Sequence, residues 1–165
     1  MTNLAPVAPD APVFGVCRPR YPDGDLGSWV GLLDEAGIGR VVCLLSAAET
    51  DEYGVPEAYA DSFETRHTPL PADGVPDDEV LDDAVEAVRM GNYAGQRVAI
   101  HCDDGLGRTG LVAAAWLTRY HGYGPMEALD VVEASGRTPR EILPDGMTDE
   151  RLRDLLATED ESDEE

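Results

Sequence analysis

Residues 97–110 read R-V-A-I-H-C-D-D-G-L-G-R-T-G. The first six predict a strand ending at Cys102, and the apolar run from Thr109 to His121 predicts a helix. Between them lies a loop of the form Cys, five residues, Arg, Thr. A loop that leaves a strand and opens a helix can curl so that successive backbone N–H groups from Asp103 to Arg108 converge on one point, forming an anion nest. Gly105 and Gly107 permit positive φ and close backbone approach. The helix that follows directs the positive end of its dipole to the same point. Arg108 brings a planar guanidinium that can hold two oxygens of one anion at once, which a lysine cannot.

The same features act on Cys102. A thiol beside a helix N-terminus and a cation gives up its proton more readily, and the thiolate is the nucleophile. One arrangement therefore both binds a phosphate and creates the group that attacks it. Thr109 can donate a hydrogen bond to the sulfur and help it leave when a covalent phosphocysteine is hydrolysed. His101 is read as an orienter of the loop rather than a base. A glycine turn after a strand is common in nucleotide-binding proteins, but this loop lacks the G-K-[ST] of a P-loop and does not complete G-x-G-x-x-G.

Outward from the loop, strands alternate with helices. Val13–Cys17 reads as a short strand, and Ser28 as the cap of a helix whose Trp29, Leu32, Leu33 and Ala36 share a face. The continuous apolar run Val41–Leu45 fits a strand buried on both sides. Residues 46–56 read as a polar loop, 56–62 as a short helix, and Phe63–Thr68 as another strand. The Pro- and Gly-punctuated P-L-P-A-D-G-V-P-D-D at 69–78 is a loop, after which Asp77 or Asp78 caps a helix with Val80, Leu81, Ala84, Val85 and Val88 inward. A further helix starts at Pro125 with Met126, Leu129 and Val132 inward, and a last one, capped by Thr148 or Asp149, carries Leu152, Leu155 and Leu156. The pattern is α/β with a mostly parallel sheet in one domain. Residues 1–12 read as an extended arm, 13–158 as the folded domain, and 159–165 as a disordered acidic tail.

Composition limits the partners. The chain has 34 acidic residues against 12 basic ones, all arginine, for a net charge of −22. Nucleic acid and anionic membranes bind basic patches, so neither is expected here. No run of roughly 18 apolar residues suggests a membrane span, and the N-terminal residues lack the pattern of a secretory signal. The expectation is a monomeric cytoplasmic protein whose carboxylate-rich surface suits a high-salt interior. The three cysteines, Cys17, Cys43 and Cys102, show no C-x-x-C spacing, which argues against a disulfide framework or a zinc site. Cys17 and Cys43 read as core, with a resolving thiol for Cys102 as a minor alternative.

The stretch 101–110 resembles the active-site motif of protein tyrosine phosphatases, and the length is similar to that of their small dual-specificity branch. The likeness covers roughly residues 12–135. It implies a three-layer fold, hydrolysis through phosphocysteine, no metal and no cofactor, and phosphorylated proteins as substrates. By that resemblance Cys102, Arg108 and Thr109 are catalytic, and His101, Asp103, Asp104, Gly105, Leu106, Gly107 and Arg108 form the phosphate loop. Relatives carry a general acid on an upstream mobile loop that resembles P-I-P-D-x-x-x-P. Here Ala72 holds the acid's place and Asp73 follows, so Asp73 is the expected acid, with Asp77 or Asp78 as alternates. Phosphoinositide phosphatases of this superfamily tend to carry lysines where Asp103 and Asp104 stand, and two carboxylates would repel a polyphosphorylated substrate. Arg18, Arg20 and Arg66 are candidate cations near the site. Rival readings are a sulfurtransferase or arsenate reductase, whose loops also use a cysteine, and a non-catalytic phosphate-binding module.

Overall fold

The computed structural model describes residues 3–19, 26–71, 76–142 and 155–156. In chain order the elements are β1 (Ala5–Pro6), β2 (Val13–Val16), α1 (Leu26–Glu35), β3 (Ile38–Cys43), α2 (Ala47–Tyr53), a 3₁₀ turn (Glu57–Tyr59), β4 (Glu64–His67), α3 (Asp78–Tyr93), β5 (Arg97–His101), α4 (Gly107–Tyr120), α5 (Pro125–Ala134) and a second 3₁₀ turn (Pro139–Ile142). The sheet runs β1–β2–β5–β3–β4, and every pairing is parallel except that of β1 with β2.

The sheet separates two apolar layers by simple alternation. Val42, Leu44, Val98 and Ile100 face α3, α4 and α5, where Leu81, Val85, Val88, Leu111 and Leu129 close the core. Val41, Cys43, Leu45 and Ala99 face the other way, onto Trp29, Leu33, Tyr59 and Phe63. Because side chains alternate along a strand, a continuous apolar run supplies both layers. The expected α/β class with a mostly parallel sheet is the fold this chain adopts. From Gly107 to Leu117 every residue of α4 is buried, as suits a helix enclosed by the sheet on one side and by helices on the other.

Several local expectations are corrected. The polar stretch after β3 is not a loop but α2, started by a reciprocal cap between Ser46 and Glu49 and ended by Gly54 at φ +71°. The short helix expected over 56–62 is a single 3₁₀ turn. Residues 5–6 of the N-terminal arm join the sheet, because Val7 and Ala8 beside them are buried in the core. Helix α1 begins at Leu26, which puts Ser28 inside it rather than at its cap, and Leu32 is exposed while Trp29 and Leu33 are buried. Met126, in the first turn of α5, also lies outward, since only Ala128, Leu129 and Val132 of that helix are buried. Leu155 and Leu156 are helical and buried against the α3–α5 layer. Thr148, Asp149 and Leu152, and the acidic tail 159–165, lie outside the described residues.

Candidate active site

The loop leaves the C-terminal end of β5, in the middle of the parallel strands, where open α/β sheets place their ligands. Its outer edge is pinned carbonyl by carbonyl. The Asp103 oxygen accepts from the Arg18 amide at 3.1 Å and the Leu106 oxygen from the Thr138 amide at 3.1 Å. The Asp104 oxygen accepts from Asn3 Nδ2 at 2.9 Å, and the Gly105 oxygen from Arg137 Nη1 at 2.6 Å. In a trans peptide the N–H of the next residue points opposite to the carbonyl. Four carbonyls held outward therefore turn the amides of Asp104, Gly105, Leu106 and Gly107 inward, as an anion nest requires. Gly105 sits at φ +77°, and a Cβ there would lie 2.5 Å from the Val16 carbonyl. Gly107, for which positive φ was also expected, instead starts α4 with helical backbone, since its amide belongs to the helix N-terminus.

Cys102 is buried at the base of the loop, and Thr109 Oγ1 donates to its sulfur at 3.2 Å. Asp104 Oδ1 lies 3.8 Å from the sulfur and accepts from the Leu106 amide at 3.0 Å. A carboxylate oxygen of the chain thus lies near both the sulfur and one of the inward amides. Cys43 faces the α1 layer whereas Cys102 packs in the opposite one, and burial pushes the Cys43 thiol up to about 11. That placement does not suit Cys43 as a resolving thiol. Cys17 is also a buried free cysteine of the α1 layer.

His101 is wholly buried, edge-on to Trp29 and Tyr59. Its Nδ1 lies 3.0 Å from the Cys102 carbonyl, which can only accept, so Nδ1 carries the proton. Nε2 therefore accepts from the Tyr59 hydroxyl at 2.6 Å. Burial pulls the imidazole pKa from 6.5 down to about 4. Between those values the unfolded chain binds a proton that the folded chain does not. Stability from this group is thus complete above about pH 6.5 and is lost as pH falls toward 4, by on the order of 3 kcal/mol. Carboxylate titration overlaps this window, so the test is a difference between proteins. Urea midpoints of wild type should fall more steeply from pH 7 to 4.5 than those of His101→Asn, and parallel curves would contradict the assignment.

Arg108 presents its fork to Glu49, Nη1 to Oε1 at 2.7 Å and Nη2 to Oε2 at 2.9 Å. The Arg108 guanidinium, assisted by the Ser46 amide at 2.8 Å from Oε1, lowers the Glu49 carboxyl to about 2. Sequence reasoning missed Glu49, although the S-x-x-E signature at Ser46–Glu49 directly after a buried strand would have placed it at a helix start beside the sheet's C-terminal edge. Of the candidate cations, Arg18 reaches the loop: its Nε meets Asp103 Oδ1 at 2.7 Å and its guanidinium covers the Tyr53 ring at 3.5 Å. Arg66 is half exposed on edge strand β4 and pairs with Glu64 at 3.7 Å. Asn3 and Arg137, which hold the loop's outer edge, were also missed. Arg20 and Asp73 lie outside the described residues. Asp77 is exposed at the extended N-cap of α3 with no side-chain capping bond, and Asp78 is in the first turn. Among the described residues no group of three His, Cys, Asp or Glu is placed to hold a metal, and no helix is long and apolar enough to cross a membrane.

This sheet and helix arrangement is the fold of the protein tyrosine and dual-specificity phosphatases. Tk-PTP in its active form is 26% identical with a TM-score of 0.68, over 93% of this chain and 93% of that one. Human DUSP28 is 19% identical with a TM-score of 0.66 over 93% of both chains. PTPMT1 in complex with PI(5)P is 18% identical with a TM-score of 0.70, over 93% of this chain and 94% of that one. In the last two cases the likeness is one of fold. Residues 28–122, more than half of the chain, match the family Tc-R-P, described as a polymorphic toxin system DSP-PTPase phosphatase. The chain belongs to that family. No curated protein matches it in sequence.

Proposed function

We propose that the chain hydrolyses phosphomonoesters of proteins, phosphotyrosine and also phosphoserine and phosphothreonine, through a phosphocysteine intermediate. The observation that carries this reading is the set of inward amides around a sulfur that accepts from Thr109, on the loop that also carries the Arg108 fork. In the first step the Cys102 thiolate attacks phosphorus. The ester P–O bond breaks, and the leaving oxygen takes a proton from the carboxyl of Asp73. In the second step the Asp73 carboxylate takes a proton from water as that water attacks phosphorus. The S–P bond breaks, inorganic phosphate leaves, and the thiolate recovers its hydrogen bond from Thr109. The amides and Arg108 oppose the charge on the equatorial oxygens in both steps.

The substrate reading rests on charge. Arg18 is paired with Asp103, Arg108 with Glu49, and Asp104 adds a carboxylate at the loop. A second phosphate beside the first would meet carboxylates with their nearby arginines already engaged, which favours a single phosphate on a peptide over a phosphoinositide. A second reading, a phosphate-binding module without turnover, is favoured by one feature. The Arg108 fork and the Leu106 amide both hold carboxylate oxygens of the chain itself, so a phosphate must compete with Glu49 and Asp104.

One assay separates these readings. Wild type and Asp73→Asn are run on p-nitrophenyl phosphate, phosphotyrosine and phosphothreonine peptides and a soluble phosphoinositide, over a range of KCl. Wild type is expected to turn over all but the last. Asp73→Asn should lose roughly 10²–10³-fold in kcat, flatten the basic side of the pH profile and keep its inhibition by phosphate. Unchanged turnover in that variant would remove Asp73 from the mechanism. Phosphate binding without turnover in wild type would favour the module, and preferred hydrolysis of the phosphoinositide would overturn the substrate assignment.

A further inference from the structure

Arg137 follows α5, outside residues 28–122 that match the family. It is 2% exposed, one of the largest wholly buried side chains among the described residues. Its Nη1 donates to the Gly105 carbonyl at 2.6 Å, its Nη2 donates to the Asn3 carbonyl, and Nε has no hydrogen-bond partner among the described residues. Among the described residues no carboxylate lies within ion-pair distance of it, whereas Arg18 and Arg108 each have one. Two glycines in separate elements make its room. A Cβ on Gly15 of β2 would lie 2.9 Å from Arg137 Nε, and one on Gly110 of α4 would lie 3.1 Å from Arg137 Cβ.

A lone buried cation is costly unless something nearby offsets it. Burial lowers the basicity of this guanidinium, and negative charge at Cys102, Cys17 or Asp104 would raise it. The first is the reacting sulfur. Asn3 completes the arrangement: besides accepting from Arg137, it donates to the Asp104 carbonyl at 2.9 Å and accepts from the Cys17 amide at 2.7 Å.

We propose that Arg137 is a positioning residue of the phosphate loop, buttressed by Asn3: it holds the Gly105 carbonyl outward, so that the Leu106 amide faces the anion, and it supplies a buried positive charge behind the loop. This rests on the reading of that loop as a phosphate site. Carbonyl bonding and charge are separable contributions. Lysine keeps the charge but not the paired donors, and glutamine loses the charge.

The test compares wild type, Arg137→Gln, Arg137→Lys and Asn3→Ala. The readouts are alkylation of Cys102 by iodoacetamide at pH 6, followed on the Cys102 peptide by mass spectrometry, inhibition by inorganic phosphate, and cooperative urea unfolding. In Arg137→Gln both the alkylation rate and the affinity for phosphate should fall about tenfold. Arg137→Lys should recover the alkylation rate while phosphate binding stays weak. Asn3→Ala, changed at an exposed site, should weaken phosphate binding a few-fold with alkylation near wild type. If Arg137→Gln does not unfold cooperatively, the lysine and Asn3 variants carry the test. Folded variants that alkylate and bind phosphate as wild type does would overturn the proposal. A wild type that itself shows no inhibition by phosphate would instead overturn the phosphate-site reading beneath it.

Discussion

Replacing Cys102 by serine is expected to reduce hydrolysis of p-nitrophenyl phosphate by on the order of 10⁴-fold or more, the scale on which enzymes lose turnover when their nucleophile is removed. Serine nearly preserves volume in a fully packed position, so the fold should survive. The Thr109 hydroxyl would then meet an oxygen in place of the sulfur. The inward amides and Arg108 remain, so the variant should still bind phosphate with near wild-type affinity. That combination, binding kept and turnover lost, is what separates a nucleophile from a packing residue. Hydrolysis within tenfold of wild type would remove Cys102 from the chemistry whatever the loop looks like.

Arg108→Lys should lose roughly 10³-fold in kcat/KM, with the drop in kcat exceeding the rise in KM. The guanidinium makes two parallel bonds to Glu49, at 2.7 and 2.9 Å, and that planar fork is the geometry two equatorial phosphate oxygens require. An ammonium keeps the charge but makes one such contact. Glu49 would lose half of its paired donors as well, while retaining the Ser46 amide. Its carboxyl, held at about 2 with Arg108 in place, would then titrate at higher pH. A lysine variant with wild-type kcat/KM would mean that the fork serves Glu49 rather than substrate.

How far the sequence carried these conclusions depends on the range over which each interaction acts. The two central strands were legible because an apolar run with no polar break is buried on both faces, and Val41–Cys43 and Val98–Ile100 are. The loop was legible because Cys102, Arg108 and Thr109 lie within one turn of chain, where spacing determines geometry. Helix α2 escaped notice because none of its residues is buried, which leaves only the Ser46–Glu49 cap to announce it. Glu49, Asn3 and Arg137 come from three separate parts of the chain, and nothing local to them records that they converge on the loop. Gly15 and Gly110 are the exception in principle, since each is a glycine within a regular element, yet which side chain they make room for appears only in three dimensions.

The central claim is covalent: phosphate passes through the sulfur of Cys102. Its most direct measurement is mass spectrometry of wild-type enzyme quenched in acid during turnover of p-nitrophenyl phosphate. A phosphoryl group on the peptide that contains Cys102, present in turnover and absent once substrate is exhausted, is the result this mechanism predicts. Steady hydrolysis with that peptide unmodified, or with the phosphoryl group on another residue, would contradict it.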